Sequence, residues 1–116
     1  MAQDRIRKAV VSTGRDHFKT VARTFAGGGH TLTTDEPEDF GGKDLGPTPL
    51  EMFLASIGSC KTMTARMYAD RKGWALDEVV CTVEVDYRVR EGGGATKIPH
   101  LDITIEFKGE LTEEQR

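Results

Sequence analysis

The longest regular pattern of apolar positions in the chain lies between residues 46 and 74. Apolar residues recur there at steps of three and four, which is the period of one face of an α-helix. They are Leu50, Phe53, Leu54, Ile57, Cys60, Met63 and Met67. Thr48 and Glu51 can cap each other's backbone amides at the start, and Gly73 suits the end. The pattern therefore predicts a helix over residues 49–72.

Alternation of apolar and polar residues predicts strands on both sides of this helix. The predicted strands cover residues 5–13, 18–25, 30–33, 79–90 and 101–108. Turns or connectors are predicted at residues 13–16, 27–29, 74–78 and 92–94. Residues 35–46 are rich in Gly, Asp and Pro without periodicity, so we expect a loop there. Three strands, a loop, a long helix and two strands make an α+β order in one domain, residues 1–116.

Two groups of strands this small do not cover both sides of so long a helix. Either a partner chain buries the rest of it, or apolar surface remains exposed. Residues 111–116 have the pattern of a helix that is only beginning, with Thr112 as its cap. We therefore expect the sequence to be a truncated form of a longer protein.

Charge and composition argue against several kinds of partner. The 116 residues carry a formal net charge of −3, with Lys and Arg spread along the chain. This distribution argues against nucleic acid or an anionic membrane as the main partner. The sequence has no apolar run near the roughly 18 residues of a membrane helix and no signal-peptide core at its N-terminus. We expect a cytoplasmic protein with two free thiols.

The sequence carries no recognisable metal or cofactor motif. His17, His30 and His100 lack the spacing of metal ligands. The glycine pair before Lys43 lacks the spacing and the hydroxyl residue of a phosphate-binding loop, so we predict turns at the glycine runs. We expect no metal and no cofactor.

Cys60 is the candidate reactive residue. Gly58 and Ser59 before it lie in mid-helix, which is a common place for a helix to kink or restart. A second helix starting near Ser59 would put Cys60 in its first turn, where the helix dipole favours a thiolate. The alternative is that Cys60 is a small buried hydrophobe, as we predict for Cys81 on the inward face of its strand.

A reactive thiolate also needs a nearby cation. The candidates are Arg15 and Arg23 in the N-terminal strands and Lys43 in the glycine-rich loop. Each is also explained as a solvated surface charge. Glu51 can orient such an arginine, and its alternative role is the helix cap.

The stretch GGKDLGPTPLEMFLASIGSCKTMTARMYADRKGW, residues 41–74, resembles the signature of the OsmC/Ohr family of osmotically inducible and organic hydroperoxide resistance proteins. It is most similar to the OsmC-like branch, through GPTPLE, IGSC and YADRKGW. The resemblance implies an α+β fold in which antiparallel sheets wrap around a long central helix. It also implies an intertwined homodimer that exchanges N-terminal strands, which would cover the helix.

The activity that the resemblance implies is thiol-dependent reduction of organic hydroperoxides in oxidative-stress defence. Cys60 matches the peroxidatic cysteine of the family. The turn TGRD resembles the one that carries the active-site arginine, which points to Arg15, with Arg23 as the alternative. Glu51 resembles the glutamate that holds this arginine. It lies nine residues before Cys60 instead of the family's ten, about a 100° change of direction on a helix.

The resemblance also implies a substrate pocket and a reductant. The apolar neighbours of Cys60 would favour organic peroxides over hydrogen peroxide. They are Phe53, Leu54, Ile57 and Met63. The family's second cysteine would follow residue 116, so a sulfenate on Cys60 would need an external dithiol.

Two other functions stay open at this point. One is a non-catalytic OsmC-like binder of a small apolar or acyl ligand near Cys60. The other is a structural dimer in which Cys60 is inert. Peroxide consumption that needs Cys60 would favour the peroxidase, and ligand binding that ignores Cys60→Ser would favour the binder.

Overall fold

The structure is a computed structural model that describes residues 7–89 and 97–116. The predicted glycine turn at residues 92–94 lies outside the described residues. The chain divides into two compact units, Met1–Met52 and Phe53–Arg116. The single domain that the sequence predicts over residues 1–116 stays a prediction.

The first unit contains a three-stranded antiparallel sheet in the order β1-β2-β3. Its strands are β1 (Ala9–Thr13), β2 (Thr20–Thr24) and β3 (His30–Thr34). The predicted meander is therefore confirmed, but β2 begins two residues later than predicted. The turn extends to residue 19 because the Lys19 amide donates to the Asp16 carbonyl, at 3.1 Å. The hydroxyls of Thr13 and Thr20 then join the two strands at 2.6 Å.

The predicted loop after β3 is organised around a buried carboxylate. Asp35 is 2% exposed and accepts hydrogen bonds from the backbone amides of Glu36, Lys43 and Leu45. A Cβ on Gly42 would collide with the Glu36 carbonyl oxygen, so only glycine fits this fold of the loop. A charge that is buried in this way needs such partners to offset its lost hydration.

The long helix α1 covers Pro49–Lys72, as predicted. At its start the Thr48 amide donates to Glu51 Oε1 and the Glu51 amide donates to Thr48 Oγ1, which is a capping box. At its end the Gly73 amide donates to the Asp70 carbonyl. Gly73 adopts the left-handed conformation that closes many helices. Local sequence signals thus fix both ends of the helix.

The helix restart near Ser59, which the sequence left open as an alternative, does not occur, because α1 runs through Gly58 and Ser59 without interruption. Gly58 is buried where the helix meets the strand that follows it. A Cβ on Gly58 would lie 3.6 Å from Val83 Cγ2 and 4.0 Å from the Cβ of Cys81. Tertiary packing at this contact offsets the intrinsic helix penalty of glycine, which is about 1 kcal/mol.

The second unit pairs β4 (Ala75–Val89) with β5 (Lys97–Glu110) in antiparallel register. The predicted connector at residues 74–78 is wrong, since β4 already begins at Ala75. A register shift lies between Leu76 and Glu78. Arg66 of α1 stabilises it by donating to the Leu76 carbonyl at 2.6 Å and to the Asp77 carbonyl at 3.1 Å.

The helix meets β4 at Gly58, while several of its large apolar residues face solvent. Among the described residues, the fully buried apolar side chains are Ala69 and Leu76. The exposed stripe of α1, which consists of Phe53, Met63 and Met67, has side chains that are 54%, 65% and 59% exposed. A single chain thus leaves apolar surface of the helix exposed, and its burial by a partner chain stays a prediction.

The α+β class, with one long helix and two antiparallel sheets, is confirmed. The predicted helix start at the C-terminus is a single 3₁₀ turn, Glu113–Gln115. The homodimer remains a prediction. Along residues 7–89 and 97–116, no helix combines the length and the apolar character that a membrane crossing requires.

Candidate functional site

Cys60 lies in the middle of α1, with an exposed side chain, at the rim of a groove of about 690 Å³. All the residues that line the groove belong to the second unit. One wall is a face of the helix, and the other comes from β5 and the C-terminal turn. The groove is lined by Cys60, Lys61, Thr64, Ala65, Tyr68, Ala69, Trp74, Leu76, Ile105, Phe107, Leu111, Glu114 and Gln115.

The groove is mostly apolar and contains an aromatic pair. The rings of Tyr68 and Trp74 meet edge to face with centroids 5.2 Å apart. Lys72 places its ammonium 5.6 Å from the centroid of the Tyr68 ring. Tyr68 lies eight residues after Cys60 on the same helix, about 12 Å along its axis. The groove therefore offers an apolar surface that extends from the thiol toward these two rings.

The continuous helix removes one of the predicted reasons for thiolate formation. Cys60 is not in a first turn, so its backbone amide belongs to the interior of a helix. The positive end of the dipole acts within about one turn of the helix start and does not reach this position. Stabilisation of a thiolate at Cys60 therefore depends on charged side chains.

Lys61 is a further candidate cation, which no pattern in the sequence indicated. It follows Cys60 directly and lines the same groove. Adjacent residues on a helix point about 100° apart, so neighbouring sequence positions gave no reason to expect a shared site. The groove reaches both because it extends across that part of the helix surface.

Of the three candidate cations predicted from the sequence, Lys43 already has a partner. Its ammonium lies 2.7 Å from Asp16 Oδ1. Arg15 is exposed in the turn between β1 and β2, and Arg23 is exposed on β2. Within the described ranges, neither guanidinium makes a hydrogen bond or an ion pair. The roles of Arg15 and Arg23 at the thiol stay predictions.

Glu51 is used as the helix cap, which was one of the two roles considered for it. Its Oε1 accepts the Thr48 amide at 3.0 Å. A cap of this kind does not exclude a second partner, because a carboxylate has several acceptor positions. The role of Glu51 in orienting an arginine stays a prediction.

The four apolar residues predicted as the substrate pocket do not line the groove. Phe53 and Met63 are exposed, while Leu54 and Ile57 are half-buried. They lie on other parts of the helix surface, and their role stays a prediction. Tyr68 and Trp74 were missed as site residues, although both belong to the quoted motif YADRKGW.

Cys81 is half-buried on β4. It faces the helix at Gly58, in agreement with the predicted inward orientation. Cys60 comes two residues after Gly58, which turns its side chain about 200° around the helix axis. Cys81 of β4 therefore lies against one side of α1, while the Cys60 side chain projects from another side of the helix.

The family model described as OsmC-like protein matches residues 41–116. This is more than half of the chain and includes α1, both long strands and the C-terminal turn. The chain therefore belongs to the OsmC-like family, and the resemblance seen in the sequence is confirmed. No curated protein matches the chain.

Several solved structures share the fold, including three that match nearly the whole chain. One, from Psychrobacter arcticus 273-4, is named as an osmotic stress induced and detoxification response protein. Its TM-score is 0.72 at 18% sequence identity, and the match covers 99% of this chain and 80% of the Psychrobacter chain. The second is an organic hydroperoxide resistance protein OsmC from Legionella pneumophila. Its TM-score is 0.61 at 20% sequence identity, and the match covers 97% of this chain and 78% of the Legionella chain.

The third, from Vibrio cholerae O1, is named for organic hydroperoxide resistance and has captopril bound in one of its active sites. Its TM-score is 0.60 at 23% sequence identity, and the match covers 99% of this chain and 74% of the Vibrio chain. At these identities the three similarities show the fold alone.

Proposed function

We propose that the protein reduces organic hydroperoxides with Cys60 as the peroxidatic thiol. The observation that carries the proposal is the exposed Cys60 thiol at the rim of a mostly apolar groove. Family membership supports it, as do two of the solved relatives, which are named for organic hydroperoxide resistance. A thiol of this kind suits a reducing compartment, so we place the protein in the cytoplasm.

The chemical step needs no group beyond the thiolate and a proton source. The Cys60 thiolate attacks the terminal oxygen of R–O–OH, the S–O bond forms and the O–O bond breaks. The leaving alkoxide takes up a proton and departs as the alcohol R–OH. Sulfur is oxidised to sulfenic acid while the peroxide is reduced by two electrons.

The groove has the size and composition to hold the organic part of the substrate. Its volume of about 690 Å³ falls within the range of ordinary ligand sites. Apolar side chains along the groove, such as Phe107 and Trp74, would favour the alkyl or aryl group of an organic hydroperoxide over the second hydroxyl group of hydrogen peroxide. Lys61 at the thiol end supplies a positive charge near the alkoxide that forms.

We assign Arg15 the role of a second positive charge at Cys60, with Glu51 as its holder. The exposed guanidinium of Arg15 has no ion pair within the described residues, so it is available for an anionic thiolate.

The exposed stripe of α1 supports a homodimer, because such a large apolar face on one chain is usually covered by a partner.

An external dithiol completes the cycle. Its first sulfur attacks the sulfenic acid, releasing water and forming a mixed disulfide. Its second sulfur then displaces Cys60, which leaves the dithiol oxidised to a disulfide. Cys81 does not serve this purpose, since its side chain faces Gly58 on the other side of the helix.

Steady-state consumption of cumene hydroperoxide with dithiothreitol tests the proposal. Wild type and Cys81→Ser should consume peroxide at similar rates, while Cys60→Ser should fall to the rate of the buffer. Loss of activity in Cys81→Ser with retention in Cys60→Ser would overturn the assignment. Circular dichroism of each variant checks that the fold is intact.

The second candidate function is a non-catalytic binder of an apolar or acyl ligand. The groove itself favours it, because such a volume exceeds what the thiol chemistry alone requires. Fluorescence of Trp74, the single tryptophan, would report ligand entry. Equal ligand affinity in wild type and Cys60→Ser, with no peroxide consumption by either, would favour the binder.

A further inference from the structure

We infer that Asp16 is a positioning residue for Arg15, and that Lys43 and the buried Asp35 hold Asp16 in place. The inference rests on the proposed function, in which Arg15 supplies a positive charge to the Cys60 thiolate. All four residues belong to the first compact unit. Asp35 contacts Lys43 and Lys43 contacts Asp16 through hydrogen bonds, and Asp16 is the sequence neighbour of Arg15.

The arrangement starts at Asp35. Its carboxylate is almost fully buried and holds the amide of Lys43 at 3.4 Å and that of Leu45 at 3.2 Å. These contacts close the loop on itself, so that the backbone of Lys43 has a fixed place. A buried charge with several amide partners is costly to displace, which makes it a firm anchor.

The side chain of Lys43 extends from this anchor to the turn between β1 and β2. Its Nζ donates to Asp16 Oδ1 at 2.7 Å across a sequence separation of 27 residues. This hydrogen bond, followed by the charge of Lys43, lowers the pKa of Asp16 from its ordinary value of 3.8. The carboxylate of Asp16 therefore stays ionised throughout the neutral pH range.

Asp16 also organises its own turn. Its carbonyl accepts the Lys19 amide at 3.1 Å, and the next residue, His17, has a φ of 52°. A non-glycine residue in the left-handed region is sterically unfavourable and persists where its surroundings require it. The turn that carries Arg15 is thus fixed at Asp16 by two contacts, one from the Lys43 side chain and one from the Lys19 amide.

The consequence for Arg15 is that its charge is not neutralised within its own turn. The carboxylate next to it in sequence is already paired with Lys43, so it does not compete for the guanidinium. Arg15 keeps its charge available for an anion outside its own turn. A single exposed ion pair contributes little to stability, which suggests that the effect of this one is on geometry.

Kinetics of Cys60 in a set of variants test the inference. The variants are Asp16→Ala, Lys43→Ala, their double variant, Arg15→Ala and Arg15→Ala with Asp16→Ala. The matched control is Lys108→Ala, which removes a similarly exposed ion pair with Glu78 in the other unit. Two readouts are used, the rate constant with cumene hydroperoxide and the pH profile of alkylation by iodoacetamide.

Asp16→Ala and Lys43→Ala should each slow the peroxide reaction by about 10-fold or more, as small misplacements of a charged group do. Each should also move the midpoint of the alkylation profile to higher pH. The double variant should be no slower than either single variant, and Asp16→Ala should have no effect once Arg15 is absent. Lys108→Ala should behave as wild type.

Three results would overturn the inference. They are a normal rate in Asp16→Ala, an equal loss from Asp16→Ala in the presence and absence of Arg15, and a loss in Lys108→Ala as large as that in Asp16→Ala. The alkylation profile decides the positioning role even when peroxide is not consumed. Failure of the proposed function is therefore distinguishable from failure of this inference.

Discussion

Gly58 of α1 contacts Val83 of β4 so closely that a Cβ added to the glycine would lie 3.6 Å from Val83 Cγ2. This distance is ordinary van der Waals contact, so the site has room for one methyl group and no more. The contact explains why the helix continues through glycine and serine. It also determines which face of the helix meets the strand.

Gly58→Ala should therefore leave the protein as stable as wild type or raise the free energy of unfolding by up to about 1 kcal/mol, since alanine is the better helix former. Gly58→Leu should lower it by about 1–3 kcal/mol through overpacking against Val83. Urea denaturation measures both. A large loss of stability in Gly58→Ala would show that the helix lies closer to β4 than described.

The exposed stripe of α1 predicts a dimer. Wild type should sediment as a dimer at micromolar concentration, because interfaces of obligate dimers commonly bury about 2,000 Å² or more. Met63→Glu with Met67→Glu should weaken the dimer by placing charges on that face. Ala55→Glu, an exposed position on another face of the helix, is the matched control. A folded wild-type monomer would contradict this prediction.

Arg15 and Arg23 are distinguished by single substitutions. Arg15→Ala should slow the reaction of Cys60 with cumene hydroperoxide about 100-fold, the usual effect of losing one charge-stabilising donor. Arg23→Ala should react like wild type. Stopped-flow measurement of the first turnover gives both rate constants. A slow Arg23→Ala beside a normal Arg15→Ala would reverse the assignment.

The lowered pKa of Asp16 predicts how its ion pair responds to acid. A carboxyl group whose pKa is lower in the folded state contributes stability that is fully present above its unfolded value. That contribution is lost as the pH falls through the folded value. The unfolded reference is 3.8, so the melting-temperature difference between wild type and Asp16→Asn should be small, as for other exposed ion pairs, and constant near neutral pH.

Below the folded pKa of Asp16, the same difference should disappear. Lys43 is the main cause of the shift and Lys19 and His17 are smaller ones, so the pH dependence of Asp16→Asn should be much weaker in a Lys43→Met background. Melting curves of the four proteins across the acid range provide the measurement. A difference that grows as the pH falls would contradict the sign of the shift.

The ends of α1 were predictable from sequence because their signals are local. The Thr48–Glu51 capping box and the left-handed Gly73 involve residues within a few positions of each other. Whether the helix restarts at Gly58 stayed open at the level of sequence, because the residues that accommodate this glycine, Val83 and Cys81, come from a strand more than twenty positions later. Local propensity gives way to packing of this kind.

The groove beside Cys60 was not predictable in the same way. It combines a helix face with Phe107 of β5 and with Leu111 near the C-terminus, and no periodicity connects such distant positions. The apolar pattern of the helix identified the large residues correctly. It did not show that one chain leaves Phe53 and Met63 exposed while it buries Gly58 and Ala69.

The central claim is that Cys60 is the thiol that peroxide oxidises. Mass spectrometry after one equivalent of cumene hydroperoxide, without reductant and with peptide mapping, tests it most directly. A gain of one oxygen on Cys60, with Cys81 unchanged, is the predicted result. An unchanged Cys60, an oxygen on Cys81, or a bridge between the two cysteines would contradict the account.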